Sequence, residues 1–300
     1  MRILKPLLVI VLLGSGALFE CKAESHSSSP SSNEPLIVLS FNIRIDNPKD
    51  GENAWPNRKK MVVGLIRFHK ADLIGMQEVR PVQIEDLEAA LPDYGWYGVG
   101  QNDGKMPGDG SHNAIFYRKD RFQNLQQGAF WCSETPDTPS LGWDATNRRT
   151  VSWIKLKDSQ NGREFFMFNT HFSHVSVQAR KGSAQLIRQR MDRIVTPATL
   201  PVILTGDLNT VPGTVAYNTM TSPDAGRIQL LDAEKESETG RYGPRGTSNR
   251  FDITRVPEQP IDYIFVTDHL RVTRFGVLSD SYDGRLPSDH YPVLAEILFR

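Results

Sequence analysis

The sequence predicts a layered α/β protein in which helices cover the outside of packed β-sheets. Strand-length apolar runs recur along most of the chain, and segments whose apolar residues have helical spacing lie between them. The 300 residues, of which 39% are apolar, show no repeat of fixed period and no internal break in composition. A chain of this size can form one large core. We therefore expect a single folded domain over residues 35–300.

The first part of this domain alternates strands and helices. Residues 36–41 are a continuous apolar run, which is typical of a buried central strand. Residues 55–69 and 81–91 have helical spacing, and each segment has a proline in its first turn, where the missing N–H is tolerated. Residues 72–76 lie between them and predict a second strand.

From Tyr94 onward, short apolar runs between turn residues dominate the pattern. The predicted strands are residues 113–117, 151–156, 165–169, 202–205, 261–266 and 293–299. One long helix is predicted over residues 177–194, because Ala184, Ile187 and Met191 fall on one face. This part of the domain is therefore expected to be mostly sheet.

Residues 1–23 have the pattern of a secretory signal. Arg2 and Lys5 precede an apolar run that ends in small residues. That run is shorter than the roughly 20 residues that a membrane-spanning helix needs. We therefore expect export to the periplasm or the extracellular space, without a transmembrane span.

Two ways of processing this signal stay open. Residues 15–17 suit signal peptidase, whereas the segment before Cys21 resembles a lipoprotein motif from which Glu20 departs. Residues 24–34 are rich in serine and predict a flexible tether, which would link the domain to the membrane if Cys21 carries a lipid. Cys132 is the only cysteine of the predicted domain, so no disulfide can form within it.

The overall charge gives no indication of a nucleic-acid partner. Lysine and arginine total 35 residues, and aspartate and glutamate also total 35. No global field therefore draws the chain to a polyanion, although a nucleic-acid substrate gripped locally stays possible. We expect a monomer whose partner is a phosphate-ester substrate.

Polar residues fall where the predicted strands end. Asn42 follows the first strand and Glu78 the second, while Asp207 and Asp289 lie beside later ones. Because ligand sites of layered α/β proteins gather at strand ends, these side chains are expected to converge. Mg²⁺ or Mn²⁺ prefers such oxygen ligands, and Glu78 is the first candidate, with Asn42 placed to orient it.

A histidine paired with a carboxylate could take a proton from an attacking water, because the carboxylate fixes the tautomer and stabilises the imidazolium. His290 and Asp262 are the candidates for this pair. Asp262 lies within an apolar run, and a buried carboxylate needs a partner. The residues thus suit hydrolysis of a phosphate ester.

Six short motifs in a fixed order resemble the endonuclease/exonuclease/phosphatase family over residues 36–300. They are Ser40-Phe41-Asn42, Met76-Gln77-Glu78-Val79, Asn169-Thr170-His171-Phe172, Gly206-Asp207-Leu208-Asn209, Ile261-Asp262-Tyr263-Ile264 and Ser288-Asp289-His290-Tyr291-Pro292-Val293. The resemblance implies a four-layer sandwich, deoxyribonuclease-like, of two packed mixed β-sheets flanked by helices. It also implies metal-dependent attack of water on a phosphodiester or a phosphomonoester.

The same resemblance implies a role for each matched residue. It places the metal at Glu78, with Asn42 and Asp289 nearby. The catalytic residues that it implies are His171 on the scissile phosphate, Asp207 and Asn209 around the attacking water and the leaving group, and His290 held by Asp262. The identity of the general base stays open.

Two further segments resemble a secreted bacterial branch of the family. In residues 142–153 an arginine precedes a strand that ends in tryptophan, and Arg149 fits that position better than Arg148. In residues 171–174 the branch often has aspartate where this chain has Ser173. Arg149 and His174 are expected to bind the substrate, and Asn113 to line the site.

Two other functions compete with an exported phosphoesterase. The first is a catalytically inactive relative that binds a phosphorylated or glycan ligand, but such a protein has no reason to keep the whole set of catalytic residues. The second is a glycan-processing enzyme with paired carboxylates, which leaves the histidines without a role. The sequence does not give the substrate.

Overall fold

The computed structural model describes residues 34–300. Its strands are β1 (Leu36–Asn42), β2 (Leu73–Val79), β3 (Tyr94–Tyr97), β4 (His112–Arg118), β5 (Phe122–Trp131), β6 (Thr150–Asp158), β7 (Glu164–His171), β8 (Val202–Asp207), β9 (Leu231–Asp232), β10 (Arg241–Tyr242), β11 (Asp262–Val266), β12 (Leu270–Val277) and β13 (Val293–Phe299). Its α-helices are α1 (Trp55–Phe68), α2 (Pro81–Ala90), α3 (Val177–Ile194), α4 (Val215–Thr221) and α5 (Ala233–Glu236), and 3₁₀ turns cover Pro48–Asn53 and Pro223–Ala225.

The predicted signal and all but the last residue of the predicted tether lie outside the described residues. Between residues 34 and 300, none of the helices combines the length and the apolar character that a membrane span requires.

The strands form two mixed sheets. The first has the order β10-β12-β13-β1-β2-β4-β3, and the second has the order β5-β6-β7-β8-β11-β9. In the first sheet β1 runs parallel to β2 and antiparallel to β13, and in the second β7 runs parallel to β8. The carboxyl ends of these central strands therefore reach common edges, where the polar motifs lie.

Three apolar clusters separate four layers. Val38 of the first sheet and Met167 of the second belong to the central cluster between the sheets. Val62 of α1 and Leu87 of α2 pack on the outer face of the first sheet. Helices α3 and α4 cover the outer face of the second sheet, where Ile187 is fully buried. The predicted fold, two packed mixed sheets flanked by helices, is confirmed.

The sequence analysis missed β5 and β12, although it found the central strands. The β5 strand is at an edge of its sheet, and its middle residues Gln123–Gln127 are mostly exposed. An edge strand needs little apolar surface, so its composition resembles that of a loop. In β12 charged residues alternate with buried ones, which shortens every continuous apolar run.

The sheets approach closely next to the site through polar contacts. Asn169 of β7 donates from Nδ2 to the carbonyl oxygens of Met76 (2.8 Å) and Ala114 (3.0 Å) in the opposite sheet. Gly75 permits this approach, because a Cβ atom there would lie 1.9 Å from Oγ1 of Thr205. The strand ends of the two sheets are therefore held against each other by buried hydrogen bonds.

Gly75→Ala is expected to destabilise the protein by about 1–3 kcal/mol, since the methyl group must displace the backbone or Thr205 in a packed core. The matched control is Gly276→Ala in β12, where a Cβ atom would have only ordinary contacts, the nearest at 3.5 Å. Thermal unfolding of both variants measures the difference. Equal melting temperatures for the two variants would contradict the close packing at Gly75.

Candidate active site

The site lies where the carboxyl ends of β1, β2, β7 and β8 meet. Asn42 is the last residue of β1, His171 the last of β7 and Asp207 the last of β8. Because β11 runs antiparallel to β8, its first residue, Asp262, pairs with Asp207. The His290 side chain, from the segment before β13, completes the cluster. Topology thus brings together side chains that are far apart in sequence.

Asn42 connects two carboxylates of the site. Its Nδ2 donates to Oδ2 of Asp207 (3.0 Å) and lies 3.4 Å from Oε1 of Glu78. Glu78 sits at the irregular end of β2 with φ of 66°, a backbone conformation that is unusual for a side chain of this size. Its Oε2 accepts from the backbone N–H of Ile45 (3.0 Å). The carboxylate is therefore fixed by its neighbours rather than left free.

Arg58 of α1 holds the loop that follows β1, a contribution that the sequence analysis missed. Its guanidinium is fully buried and donates to backbone carbonyls only. The five acceptors are those of Ile43, Arg44, Ile45, Asn53 and Pro287. An arginine has five N–H donors, so every one of them is used. The loop that fixes Glu78 and the segment that leads to Asp289 are thereby tied together.

Asp207, Asp262 and His290 form the one close group of three histidine, cysteine or acidic side chains found among residues 34–300. One ligand atom from each lies within 4.8 Å of the others. Nδ1 of His290 is 2.9 Å from Oδ2 of Asp262 and 3.8 Å from Oδ2 of Asp207. The structure therefore brings His290 to the carboxylate that the sequence analysis predicted as its partner.

The surroundings shift the pKa values of this group strongly. Burial raises the pKa of the Asp207 carboxyl to about 7, and the charge of Asp262 adds to the increase. For His290, burial acts to lower the pKa, but the carboxylates of Asp262 and Asp207 outweigh it and raise that pKa well above the ordinary value. His290 therefore carries its proton at neutral pH in this arrangement. It is placed to donate a proton rather than to take one from water.

His171 lies between Arg149 and Asp207. Its Nδ1 is 3.1 Å from Nη1 of Arg149, and its Nε2 is 2.9 Å from Nδ2 of Asn209 and 3.4 Å from Oδ2 of Asp207. Burial, followed by the charge of Arg149, lowers the pKa of His171 well below its ordinary value. A guanidinium only donates, so Nδ1 accepts from Arg149, whereas Nε2 faces both the amide nitrogen of Asn209, which donates, and the carboxylate of Asp207, which accepts. His171 is thus a buried imidazole at the centre of the site, and its lowered pKa favours the neutral form.

Arg149 is a cation that pairs with histidines instead of carboxylates. Its Nη2 is 3.4 Å from Nδ1 of the exposed His174, and its buried Nε has no partner among residues 34–300. Arg44, which the sequence analysis missed, binds Asp50 at 2.9 and 3.0 Å, and its Nη1 is 3.8 Å from Oδ2 of Asp289. Of these two arginines, Arg149 has the greater capacity left for an anionic ligand.

The remaining predicted residues make hydrogen bonds that hold the backbone around the site. The Asn113 side chain donates to the carbonyl oxygen of Thr150 (2.7 Å) and so holds the residue next to Arg149. The backbone oxygen of Asp289 accepts from the N–H groups of Asn249 and Arg250, both at 2.9 Å. Burial raises the pKa of the Asp289 carboxyl. Oγ of Ser173, where the bacterial branch often has aspartate, accepts from the N–H of Ser176 just before α3.

The site brings together several oxygen donors. Four carboxylates, of Glu78, Asp207, Asp262 and Asp289, lie at the site together with the His290 imidazole and the guanidinium groups of Arg44 and Arg149. Oδ1 of Asp262 is buried and has no hydrogen-bond partner among residues 34–300. A hard divalent cation prefers such oxygen donors. The residues therefore fit a metal.

A cavity of about 250 Å³ opens beside these carboxylates. It is lined by Arg44, Ile45, Glu78, Arg80, Gln101, Ser111, Asn147, Arg149 and His174. Three of these residues are arginines, so the cavity is cationic although the whole chain is neutral. The cavity therefore suits a small anion.

Comparison with known proteins agrees with this geometry. The crystal structure of an endonuclease/exonuclease/phosphatase family protein from Bacteroides thetaiotaomicron has a TM-score of 0.84 and 38% identity, covering 89% of this chain and 99% of that one. The mannosyl-6-phosphatase of Bacteroides thetaiotaomicron VPI-5482 has a TM-score of 0.83 and 39% identity, covering 88% and 100%. The uncharacterised protein L388 of Acanthamoeba polyphaga mimivirus is 28% identical over 165 residues, which are 52% of this chain and 59% of that protein.

The family profile itself matches most of the described domain. The Endonuclease/Exonuclease/phosphatase family profile covers residues 39–290, a range that includes Asn42, His290 and the site residues between them. Phosphoester hydrolysis is the chemistry of this family, and its enzymes typically depend on a divalent metal. The resemblance found in the sequence is thereby confirmed, and the chain belongs to the endonuclease/exonuclease/phosphatase family.

Proposed function

We propose that this protein is an exported, divalent-metal-dependent phosphomonoesterase that releases phosphate from a phosphorylated sugar by attack of water. The observation that carries the proposal is the small cationic cavity beside the carboxylate cluster. The carboxylates suit a metal and a water nucleophile, and Arg149 suits the phosphate. Export rests on the signal pattern of residues 1–23.

The charge of the cavity favours a monoester over a diester. A phosphomonoester carries up to two negative charges near neutral pH, whereas a diester carries one. Arg149 is available for these charges, and Arg80 and Arg44 line the same cavity. The cavity is also small for a polymer, and the neutral chain supplies no global attraction for nucleic acid.

Different residues of the site suit metal binding and proton transfer. A bound divalent ion would supply charge neutralisation for the phosphoryl oxygens, and Glu78, Asn42 and Asp289 would hold it on the open side of the site. The close group of Asp207, Asp262 and His290 fits a metal less well, because the 2.9 Å bond already occupies Nδ1 of His290 and Oδ2 of Asp262. That group is better suited to moving protons.

The reaction joins a water oxygen to phosphorus and breaks the bond between phosphorus and the ester oxygen. The products are inorganic phosphate and the free alcohol. Asp207, with a pKa of about 7, is placed to accept a proton of the water, and the His290 imidazolium stabilises the charge that develops. The His171 imidazole and the Arg149 fork orient the phosphate.

The similarity to a mannosyl-6-phosphatase supports a sugar as the alcohol that the reaction releases. A mannosyl-6-phosphatase is 39% identical to this chain and is covered over its full length. We therefore take a hexose 6-phosphate as the first substrate to test. An inactive relative that binds such a ligand without cleaving it is the competing function.

The proposal is tested with a substrate panel on residues 24–300. The panel contains mannose 6-phosphate, p-nitrophenyl phosphate, bis-p-nitrophenyl phosphate, DNA, RNA, an inositol phosphate and sphingomyelin. We expect phosphate release from the first two with Mg²⁺ and much slower cleavage of the diesters. Faster cleavage of the diesters would overturn the monoester assignment, and binding without any release would favour the inactive relative.

Arg149→Met is expected to lower kcat/KM for p-nitrophenyl phosphate by about 10- to 100-fold, since it removes charge-assisted hydrogen bonds to the phosphate. Arg148→Met is the matched control, because Arg148 is the neighbouring arginine and does not line the cavity. Steady-state kinetics of both variants measure the effect. A larger loss at Arg148 would show that the phosphate is bound elsewhere.

A further inference from the structure

A folded loop, residues 100–111, forms one wall of the cavity. The backbone N–H of Gln101 donates to the carbonyl oxygen of Ser111 (3.1 Å), and that of Asn102 donates to Asp109 (3.1 Å). Within the turn, the N–H of Gly104 donates to Gly100 (2.8 Å). Gln101 and Ser111 are thus paired through their backbones and held side by side.

Two buried residues fix this loop to both sheets. His112 is fully buried, and its Nε2 accepts from the N–H of Gly108 (3.1 Å). Its Nδ1 therefore carries the proton and donates to the carbonyl oxygen of Val79 (3.0 Å), between Glu78 and Arg80. From the other sheet, Nε1 of Trp131 donates to the carbonyl oxygen of Gln101 (2.8 Å). The wall is consequently preorganised next to Glu78.

Three polar side chains of this region line the cavity without a protein partner. Arg80, Gln101 and Ser111 make no side-chain hydrogen bond or ion pair with any other residue of the range 34–300. They offer an amide, a hydroxyl and a guanidinium fork, which together both donate and accept. Arg149, which binds His171, marks the phosphate end of the cavity, so these three residues are available to the rest of a substrate.

The chemistry of this wall fits an alcohol with several hydroxyl groups. A hydroxyl both donates and accepts, and an amide or another hydroxyl matches it in either direction. A nucleobase, in contrast, is usually held by stacking on an aromatic ring. Among the nine residues that line the cavity, the only aromatic ring is the imidazole of His174, which lies 3.4 Å from Arg149 at the phosphate end and not on this wall. The wall therefore suits a carbohydrate better than a nucleoside.

We propose that Arg80, Gln101 and Ser111 form the subsite that binds the hydroxyl groups of a carbohydrate leaving group and selects phosphorylated sugars over other phosphomonoesters. This inference rests on the proposed function, since it presumes hydrolysis of a phosphomonoester in the same cavity. It adds the residues that discriminate among such esters. Gln101 and Ser111 are uncharged and act on the leaving group, whereas Arg80 also adds to the positive charge of the cavity.

The test compares two substrates that share the scissile phosphate. Mannose 6-phosphate has hydroxyl groups on its leaving group, whereas the p-nitrophenyl group of p-nitrophenyl phosphate has none. We expect Gln101→Ala and Ser111→Ala each to lower kcat/KM for mannose 6-phosphate by about tenfold, the loss of one hydrogen bond, while the value for p-nitrophenyl phosphate stays within about twofold. Arg80→Met, which also removes a positive charge of the cavity, should lower the value for mannose 6-phosphate more than that for p-nitrophenyl phosphate. Lys105→Ala, at an exposed position of the same loop, is the control and should change neither value.

The outcomes that differ from this expectation contradict the proposed subsite. Equal losses on both substrates would show that the three residues act on the geometry of the whole site, and no loss on either would show that the leaving group lies elsewhere. Wild-type protein that cleaves p-nitrophenyl phosphate but not mannose 6-phosphate would overturn the subsite and leave phosphomonoester hydrolysis standing. Wild-type protein inactive on both would overturn the proposed function, and the subsite with it.

Discussion

His290→Ala is expected to lower turnover by about 10²- to 10⁴-fold, the usual range for acid–base catalysis, while substrate binding changes comparatively little. The imidazole is 2.9 Å from Asp262, and its raised pKa keeps it protonated at neutral pH. Removing it takes away both a positive charge and a proton donor from a buried group of carboxylates. The measurements are kcat and KM for the best substrate of the panel.

Asp262→Asn should produce a smaller loss of the same kind, because the imidazole remains but loses the carboxylate that orients it. Two residues that act as one unit give non-additive losses, so the double variant should be little worse than His290→Ala alone. The matched control is His69→Ala. His69 forms a similar pair with Asp280, at 3.0 Å, away from the cavity.

A double variant whose loss equals the product of the two single losses would show that Asp262 and His290 act independently. Another group, such as Asp207 at 3.8 Å, would then have to orient the imidazole. An equal loss in His69→Ala would point to stability as the cause of all these effects.

Chelation is expected to abolish activity, and Mg²⁺ or Mn²⁺ should restore it. The carboxylates of the site are the oxygen ligands that a divalent cation prefers, and such an ion would stabilise the negative charge on the phosphoryl oxygens. Glu78→Gln keeps the shape of the side chain but removes its charge. It should raise the Mg²⁺ concentration that gives half-maximal activity by at least about tenfold, as expected for the loss of a metal-binding group.

Glu85→Gln is the control, because Glu85 is exposed on α2, which begins shortly after Glu78. Its Mg²⁺ dependence should equal that of the wild type. Full activity in excess chelator would contradict the metal-dependent mechanism. An unchanged Mg²⁺ dependence in Glu78→Gln would move the metal to another part of the site, with the group of Asp207, Asp262 and His290 as the next candidate.

The sequence by itself determined the central strands, the long helix and the family. Central strands such as β1 and β8 are buried on both faces, so their continuous apolar runs stand out locally. The motif residues directly follow those runs. Their order along the chain can be read from the sequence without knowing the fold. Asp262 was recognisable for a related reason, since an acidic residue within an apolar run needs a partner wherever it is buried.

The tertiary structure alone decided how these residues are supported and charged. Arg58 has no motif around it, yet its five hydrogen bonds fix the loop beside Glu78, because distant carbonyl groups meet only in the folded chain. The protonation of His290 likewise depends on three carboxylates that different strands bring together. The wall of Gln101 and Ser111 is formed by a loop whose composition predicts only turns, and its function follows from the cavity that it faces. Contacts between residues far apart in sequence set burial and electrostatic potential, and a local pattern contains neither.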